Sequence, residues 1–246
     1  KVTEKPEAQQ PTDESIFKTE EVDGKPSLCK ITGYNVDKDK LPSKLVIPDT
    51  IYGKKVAEIG ESAFEGCTGI KTLNLPAALT KIGNWAFKGC TGIKTLDLPA
   101  SLTEIGRDAF YGCTGITTLN LPAALTEIGG FAFEGCTGIT TLDLSGCTEL
   151  TEIGDWAFCD CTGITTLDLS GCTELTEIGS GAFYGCTLLE TVTFGKTDGW
   201  KAYKDRWSTN EIGSIIDLRT PAKRLDALTK SQADGGYCDC WWRRKE

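Results

Sequence analysis

Between residues 59 and 195 apolar and polar positions follow one order, set by Ile59-Gly60-Glu61-Ser62-Ala63-Phe64-Glu65-Gly66-Cys67-Thr68-Gly69-Ile70-Lys71-Thr72-Leu73-Asn74-Leu75-Pro76. The Ile-Gly pair returns at Ile82, Ile105 and Ile128 with a step of 23 residues, then at Ile153 and Ile178 with a step of 25. A fixed period in this range predicts a solenoid, whose coils bury their apolar sides against one another. Within the first coil Ile70, Leu73 and Leu75 alternate with polar residues, as in a short half-buried strand. Such strands stack in parallel about 4.8 Å apart, with the aliphatics pointing in and Lys71, Thr72 and Asn74 pointing out. Pro76 has no N–H for a ladder and ends the strand. Leu79 and Ile82 supply the opposite wall, and Ala63 and Phe64 fill the end of the coil in a short helical or irregular turn. Cys67 falls where a small buried side chain is wanted.

The flanks lack the period. Residues 1–14 are polar and contain two prolines, the composition of a disordered leader. Residues 15–58 read as an N-terminal cap. In it a β-hairpin turns at Asp23-Gly24-Lys25-Pro26, followed by a short strand at Lys44–Pro48, a turn at Tyr52-Gly53 and a further apolar stretch at Val56–Ile59. The cap is needed because an end coil would otherwise expose its core. Residues 59–195 are the six regular coils. In the two longer ones Pro-Ala gives way to Ser145-Gly146-Cys147-Thr148-Glu149-Leu150 and Ser170-Gly171-Cys172-Thr173-Glu174-Leu175. Trp200, Tyr203 and Trp207 stand at helical spacing ahead of Ile212, Ile215 and Ile216, so 196–219 reads as an amphipathic C-terminal cap. Residues 220–246 read as a mobile tail ending in Cys238-Asp239-Cys240-Trp241-Trp242.

The motif Ile-Gly-x-x-Ala-Phe-x-Gly-Cys-Thr-x-Ile/Leu-x-Thr-Leu-x-Leu-Pro resembles the BspA-like class of leucine-rich repeats over roughly residues 59–195. Ile31-Thr32-Gly33-Tyr34, Leu45-Val46-Ile47-Pro48 and Gly53-Lys54-Lys55-Val56 resemble that family's first coils. The resemblance implies a leucine-rich repeat solenoid, β-rich with short turns, in an exported or surface-displayed protein. It further implies an adhesin-like role in binding proteins of a host or neighbouring cell. The family's binding residues have no fixed motif, so no site residue is carried over.

Charge and composition narrow the function. The chain of 246 residues carries a net charge of −9, with a sequence pI near 4.8. A nucleic-acid or anionic-membrane partner needs a basic footprint instead, and no apolar run is long enough to cross a bilayer. The chain begins at Lys1 and has no Met, which suggests a trimmed or mature form; a removed export signal would fit. The absence of histidine removes the commonest general base, the Ser-His and Cys-His nucleophile pairs, and His-containing zinc sites. No carboxylate pair is singled out for glycoside hydrolysis. Together with the secreted or cell-surface setting that the resemblance implies, the sequence reads as a non-enzymatic, monomeric recognition module without cofactor, catalytic or metal residues.

Three sets of side chains could carry recognition. Trp85, Tyr111, Phe131, Trp156 and Tyr184 occupy positions that vary between coils, and exposed aromatics anchor interfaces; alternatively they pack on one another. With exposed, coplanar Trp85 and Trp156 they would suit a glycan; within a mixed charged patch, a protein. With neither, the chain would be a passive stalk. The strand face presents a Thr ladder (Thr72, Thr95, Thr118, Thr141, Thr166, Thr191) beside Asn74, Asp97, Asn120, Asp143, Asp168 and Thr193. These form a polar recognition face, weak Ca²⁺ sites, or simply a solvated sheet. An acidic stripe follows Lys81: Glu104, Glu127, Glu152 and Glu177, either a solvated edge or a patch for a basic partner.

The 12 cysteines fall mostly on two repeated positions: Cys67, Cys90, Cys113, Cys136, Cys161 and Cys186, and Cys147 with Cys172. Equivalent Cβ atoms in stacked coils point the same way, which disfavours disulfides, and a line of thiols is no tetrahedral zinc site. Buried reduced ladders are expected. Cys159 takes a position held elsewhere by Glu65, Lys88, Tyr111, Glu134 and Tyr184. It is therefore expected to be exposed and reactive, or paired with Cys238 or Cys240.

Overall fold

A computed structural model describes residues 10–203, 228 and 241–244, and over these the chain is a β-solenoid. Each regular coil has three walls. The first is a short strand: Thr72–Asn74, Thr95–Asp97, Thr118–Asn120, Thr141–Asp143, Thr166–Leu169 and Thr191–Phe194. The second is a two-residue strand: Lys81–Ile82, Glu104–Ile105, Glu127–Ile128, Glu152–Ile153 and Glu177–Ile178. The third is the Ala-Phe turn.

The first-wall strands pair in parallel and in register, but in three groups rather than the one sheet expected from their pattern. The continuous sheet is the second wall, which runs without a break from Phe17–Val22 to Trp200–Tyr203. Glycine explains its continuity. Gly83, Gly106, Gly129 and Gly154 each donate a backbone hydrogen bond of 2.8 Å to the isoleucine carbonyl one coil back. A Cβ at any of these glycines would stand less than 3.0 Å from the preceding coil's backbone.

The third wall has neither helix nor strand, yet its backbone is paired. In the first coil the N–H groups of Ser62, Phe64 and Gly66 donate to the carbonyls of Asn84, Ala86 and Lys88, at 2.9, 2.8 and 2.6 Å. Extended bonding of this kind is possible because the turn alternates in hand. Ser62, Trp85, Asp108, Phe131 and Trp156 all have φ between 52° and 59°.

The core lies between the walls. Phe64, Phe87, Phe110, Phe133, Phe158 and Phe183 stack into one column with centroids 5.2 to 5.7 Å apart and rings within 7° of parallel. The cysteine ladder runs beside them. The Sγ–H of Cys90, Cys113, Cys136, Cys161 and Cys186 donates to a phenylalanine carbonyl one coil back, at 3.1 to 3.3 Å. A thiol is small enough for the core and gives each of these carbonyls a second donor beside the cysteine N–H of its own coil. The ten described cysteines are buried and free.

The N-terminal cap is the expected hairpin. Phe17–Val22 and Lys25–Tyr34 pair antiparallel around Asp23-Gly24. Phe17 meets Phe64 edge-on at 6.5 Å and Tyr34 stacks on it at 6.0 Å, which closes the aromatic column.

The C-terminal cap corrects the sequence reading. Trp200–Tyr203 is a strand, not a helical turn; it pairs antiparallel with Trp241–Arg244, which pairs antiparallel with Glu177–Ile178. Trp241–Arg244 falls in the stretch expected to be a mobile tail, yet Trp242 is only 1 % exposed and clusters with Phe194 and Trp200. The last coil offers both bare apolar side chains and an open sheet edge; a strand satisfies both, whereas a helix covers only the first. Trp207, Ile212, Ile215, Ile216, Cys238 and Cys240, with most of the leader, lie outside the described residues.

Candidate interaction surface

The five aromatics expected to form one stripe fall on two columns of the third wall. Trp85, Phe131 and Trp156 hold the left-handed turn position; Tyr111 and Tyr184 stand three residues later in their coils. Coil stacking brings three of them together. Phe131 and Trp156 stack at 6.3 Å and 13°, and Tyr184 meets Trp156 edge-on at 5.7 Å. On its far side Trp156 covers Gly181, where a Cβ would come within 2.8 Å of the indole. Trp85 stands three coils from Trp156. Both tryptophans are half-buried, so they do not form the exposed pair that a glycan platform requires.

Cations complete the surface, and sequence reasoning missed them. The Arg107 guanidinium lies 4.4 Å from the Phe131 ring centre and Lys88 Nζ lies 4.6 Å from that of Tyr111. Both flank Asp108, which is only 7 % exposed: Arg107 Nε stands 3.2 Å and Lys88 Nζ 3.9 Å from its carboxylate. Lys88 thus reaches a ring and a counter-ion of the next coil, and Arg107 a ring of the next coil and a counter-ion of its own. The signal was present in the sequence, since Lys88 and Arg107 sit one coil before the rings they cover. Phe131 is thus covered on both faces and Trp156 packs on two sides. Tyr184, 48 % exposed, and Leu188, 56 % exposed, are the large apolar side chains this coil offers to solvent.

Cys159 is a further correction. It is 3 % exposed, and its thiol is pushed up to about 12 by burial first, then by the carboxylates of Asp160 and Glu134. At this position Lys88, Tyr111 and Glu134 reach outward on long side chains and remain half-buried; a cysteine ends too close to the backbone to follow them. Its sulfur and carboxylate oxygens of Glu134 and Asp160 lie within 4.8 Å of one another. Burial, then Asp160 and Asp108, holds the Glu134 carboxyl above its usual range, and Lys88 and Arg107 offset part of this. These three donors could share a metal ion only if the ion displaced the thiol proton that burial retains.

On the first wall the Thr and Asn/Asp ladders stand in the expected register. The acidic groups there are engaged in local structure. Asp143 Oδ1 accepts from Ser145 N at 2.9 Å and Ser145 Oγ at 2.6 Å, bonds that lower its pKa, and Asp168 Oδ1 accepts from Ser170 N at 2.8 Å. Asn120 Nδ2 donates to Asp97 Oδ1. Each of these aspartates is held by a nearby donor, an arrangement that leaves less for a shared cation. Among the described residues no helix is long and apolar enough to cross a membrane.

Known proteins agree with this architecture. None of the curated proteins matches the chain. The T. pallidum leucine rich repeat protein is similar in structure, with a TM-score of 0.58 and 25% identity over 73% of this chain and 91% of that one. A leucine rich cell surface protein from Faecalibacterium prausnitzii A2-165 shares the fold, with a TM-score of 0.58 and 22% identity over 88% of this chain and 62% of that one. The BspA type leucine rich repeat region matches in six copies over residues 43–146 and 88–203, about two thirds of the chain. With the 23- and 25-residue coils, the aromatic column and the cysteine ladder, this match places the chain in the BspA type leucine-rich repeat family.

Proposed function

We propose that this chain is a non-enzymatic recognition module, secreted or displayed at the cell surface, that binds a protein of a host or neighbouring cell in the manner of an adhesin. Its fold is of the protein-interaction type, and BspA type repeat proteins are typically surface-associated. The observation that carries the reading is the third wall between Lys88 and Leu188. There Phe131, Trp156 and Tyr184 lie in contact, with Arg107, Lys88, Asp108, Glu134 and Asp160 around them. An aromatic centre with a charged surround is the composition of protein-binding hot spots. A repeat surface adds to this by letting several coils contribute to one interface.

The test is a screen of the purified chain against host extracellular proteins and a glycan array in parallel. A protein ligand is expected, and Tyr184→Ser should weaken it by about tenfold or more, the loss of one hot-spot side chain. Glycan hits alone, or a protein ligand indifferent to Tyr184→Ser and Trp156→Ser together, would refute the proposal.

A further inference from the structure

One coil departs from the repeat at two neighbouring positions of the third wall. Where the others carry Gly66, Gly89, Gly112, Gly135 and Gly185, it carries Asp160, which keeps the same left-handed backbone at φ 53°. The residue before it is Cys159, against glutamate, lysine or tyrosine in the other coils. Glu134 holds the Cys159 position one coil earlier, so stacking brings three different donors together. The Cys159 sulfur and one carboxylate oxygen each of Glu134 and Asp160 lie within 4.8 Å of one another.

Two of these donors lack the partners that buried polar groups normally have. Cys159 is 3 % exposed, yet its thiol reaches no carbonyl among the described residues, whereas those of Cys136, Cys161 and Cys186 do. It faces the carboxylates of Asp160 and Glu134 instead. Glu134 Oε2 is shut off from solvent and accepts no hydrogen bond. A buried acceptor without a donor is costly, and more so when it is charged. Nor does an ion pair relieve it among the described residues, since the nearby cations Lys88 and Arg107 are held at Asp108.

We propose that Glu134, Cys159 and Asp160 bind one thiophilic divalent cation of the zinc class. A thiolate beside two carboxylates suits zinc, whereas calcium and magnesium take oxygen donors. Zinc holds sulfur at about 2.3 Å and carboxylate oxygen at about 2.1 Å, so its tetrahedral ligands stand about 3.6 Å apart. Side-chain rotation closes the present spacing to that value. Three protein ligands leave the fourth position to water. Binding breaks the S–H bond, forms a sulfur–metal bond and releases the proton to solvent. The site does not depend on the protein-binding reading of the same wall.

The probe is Co²⁺, added to the full-length chain after chelator treatment under reducing conditions and read by its ultraviolet thiolate-to-cobalt charge-transfer band. The band should saturate at about one equivalent per chain, yield to Zn²⁺ and withstand excess Mg²⁺ or Ca²⁺. Cys159→Ser should abolish it, and Glu134→Gln should weaken Co²⁺ by about tenfold or more. Asp160→Gly restores the glycine of the other coils and relieves the left-handed backbone. It should therefore weaken Co²⁺ by about tenfold or more without lowering the melting temperature of the metal-free chain, which separates lost binding from lost folding. Cys238 and Cys240 flank Asp239 and form a second cysteine–aspartate group in the sequence; Cys238→Ser with Cys240→Ser should retain the band. A band that survives Cys159→Ser, or that vanishes in the tail variant, would place the thiolate elsewhere and overturn the proposal. Displacement by Mg²⁺ or Ca²⁺, or no band in the wild type, would also overturn it.

Discussion

At the residue scale the core rests on a phenylalanine and a cysteine in each coil, and the two make separable contributions. Phe110 stacks on Phe87 and Phe133, both at 5.3 Å. Phe110→Ala should therefore cost about 3–5 kcal/mol, through lost transfer free energy and an unfilled cavity; denaturant unfolding measures it. The thiols act through their protonation. Burial pushes Cys113 from 9.0 up to about 12. A group raised in the folded state contributes stability that is complete below its unfolded pKa and lost as pH rises through its folded one. Stability should thus be insensitive to these thiols below about pH 9 and decline between there and about 12. Native alkylation at pH 8 should spare the ladder and, by the same physics, Cys159. Rapid labelling of Cys113 or Cys136 would contradict their burial.

At the scale of the element, one repeat position takes the same substitution differently in two coils. A Cβ at Gly115 would lie 2.2 Å from the Thr91 carbonyl oxygen and 2.7 Å from that of Ile93, whereas at Gly69 it meets nothing within 4 Å. Gly115→Ala should destabilise by about 1–3 kcal/mol through overpacking. Gly69→Ala should be neutral or stabilising by up to about 1 kcal/mol through the unfolded chain. Thermal melts of the two variants check the pair. Such detail shows what the sequence could and could not disclose. The coil was legible because Ile59, Phe64, Leu73 and their counterparts repeat, and a repeated position has a repeated environment. Trp200 and Trp242 occur once, in a cap built from two distant segments, and neither segment alone has a period that reveals the strand. The depth of Cys159 was misread because a column fixes where the Cβ stands, not how far the side chain reaches. Lys88 and Arg107 went unnoticed because their aromatic partners lie in the following coil.

At the scale of the whole molecule the three walls divide the work. The second wall holds the stack together by its unbroken sheet, the first presents polar ladders held by their own hydrogen bonds, and the third brings aromatic and charged groups from successive coils into one surface. The caps are part of this economy. Trp242 is buried over the last coil, opposite Ile178 in the sheet and packed on Phe194 and Trp200, so Trp242→Ala should cost about 3–5 kcal/mol and loosen the C-terminal coils first. Hydrogen exchange should detect that as faster exchange in 153–194 than in 59–110, since each coil is stabilised by its neighbours. Equal acceleration everywhere would indicate a single cooperative unit instead. The same method addresses the central claim, that the third wall is the face that meets a protein ligand. Once the screen has yielded a ligand, exchange is compared in the free and bound chain. The account predicts slowed exchange in the segments 105–112, 130–135, 155–160 and 180–188, with the first-wall strands at 141–143 and 166–169 unaltered. Protection confined to those strands, with the aromatic wall unchanged, would contradict it.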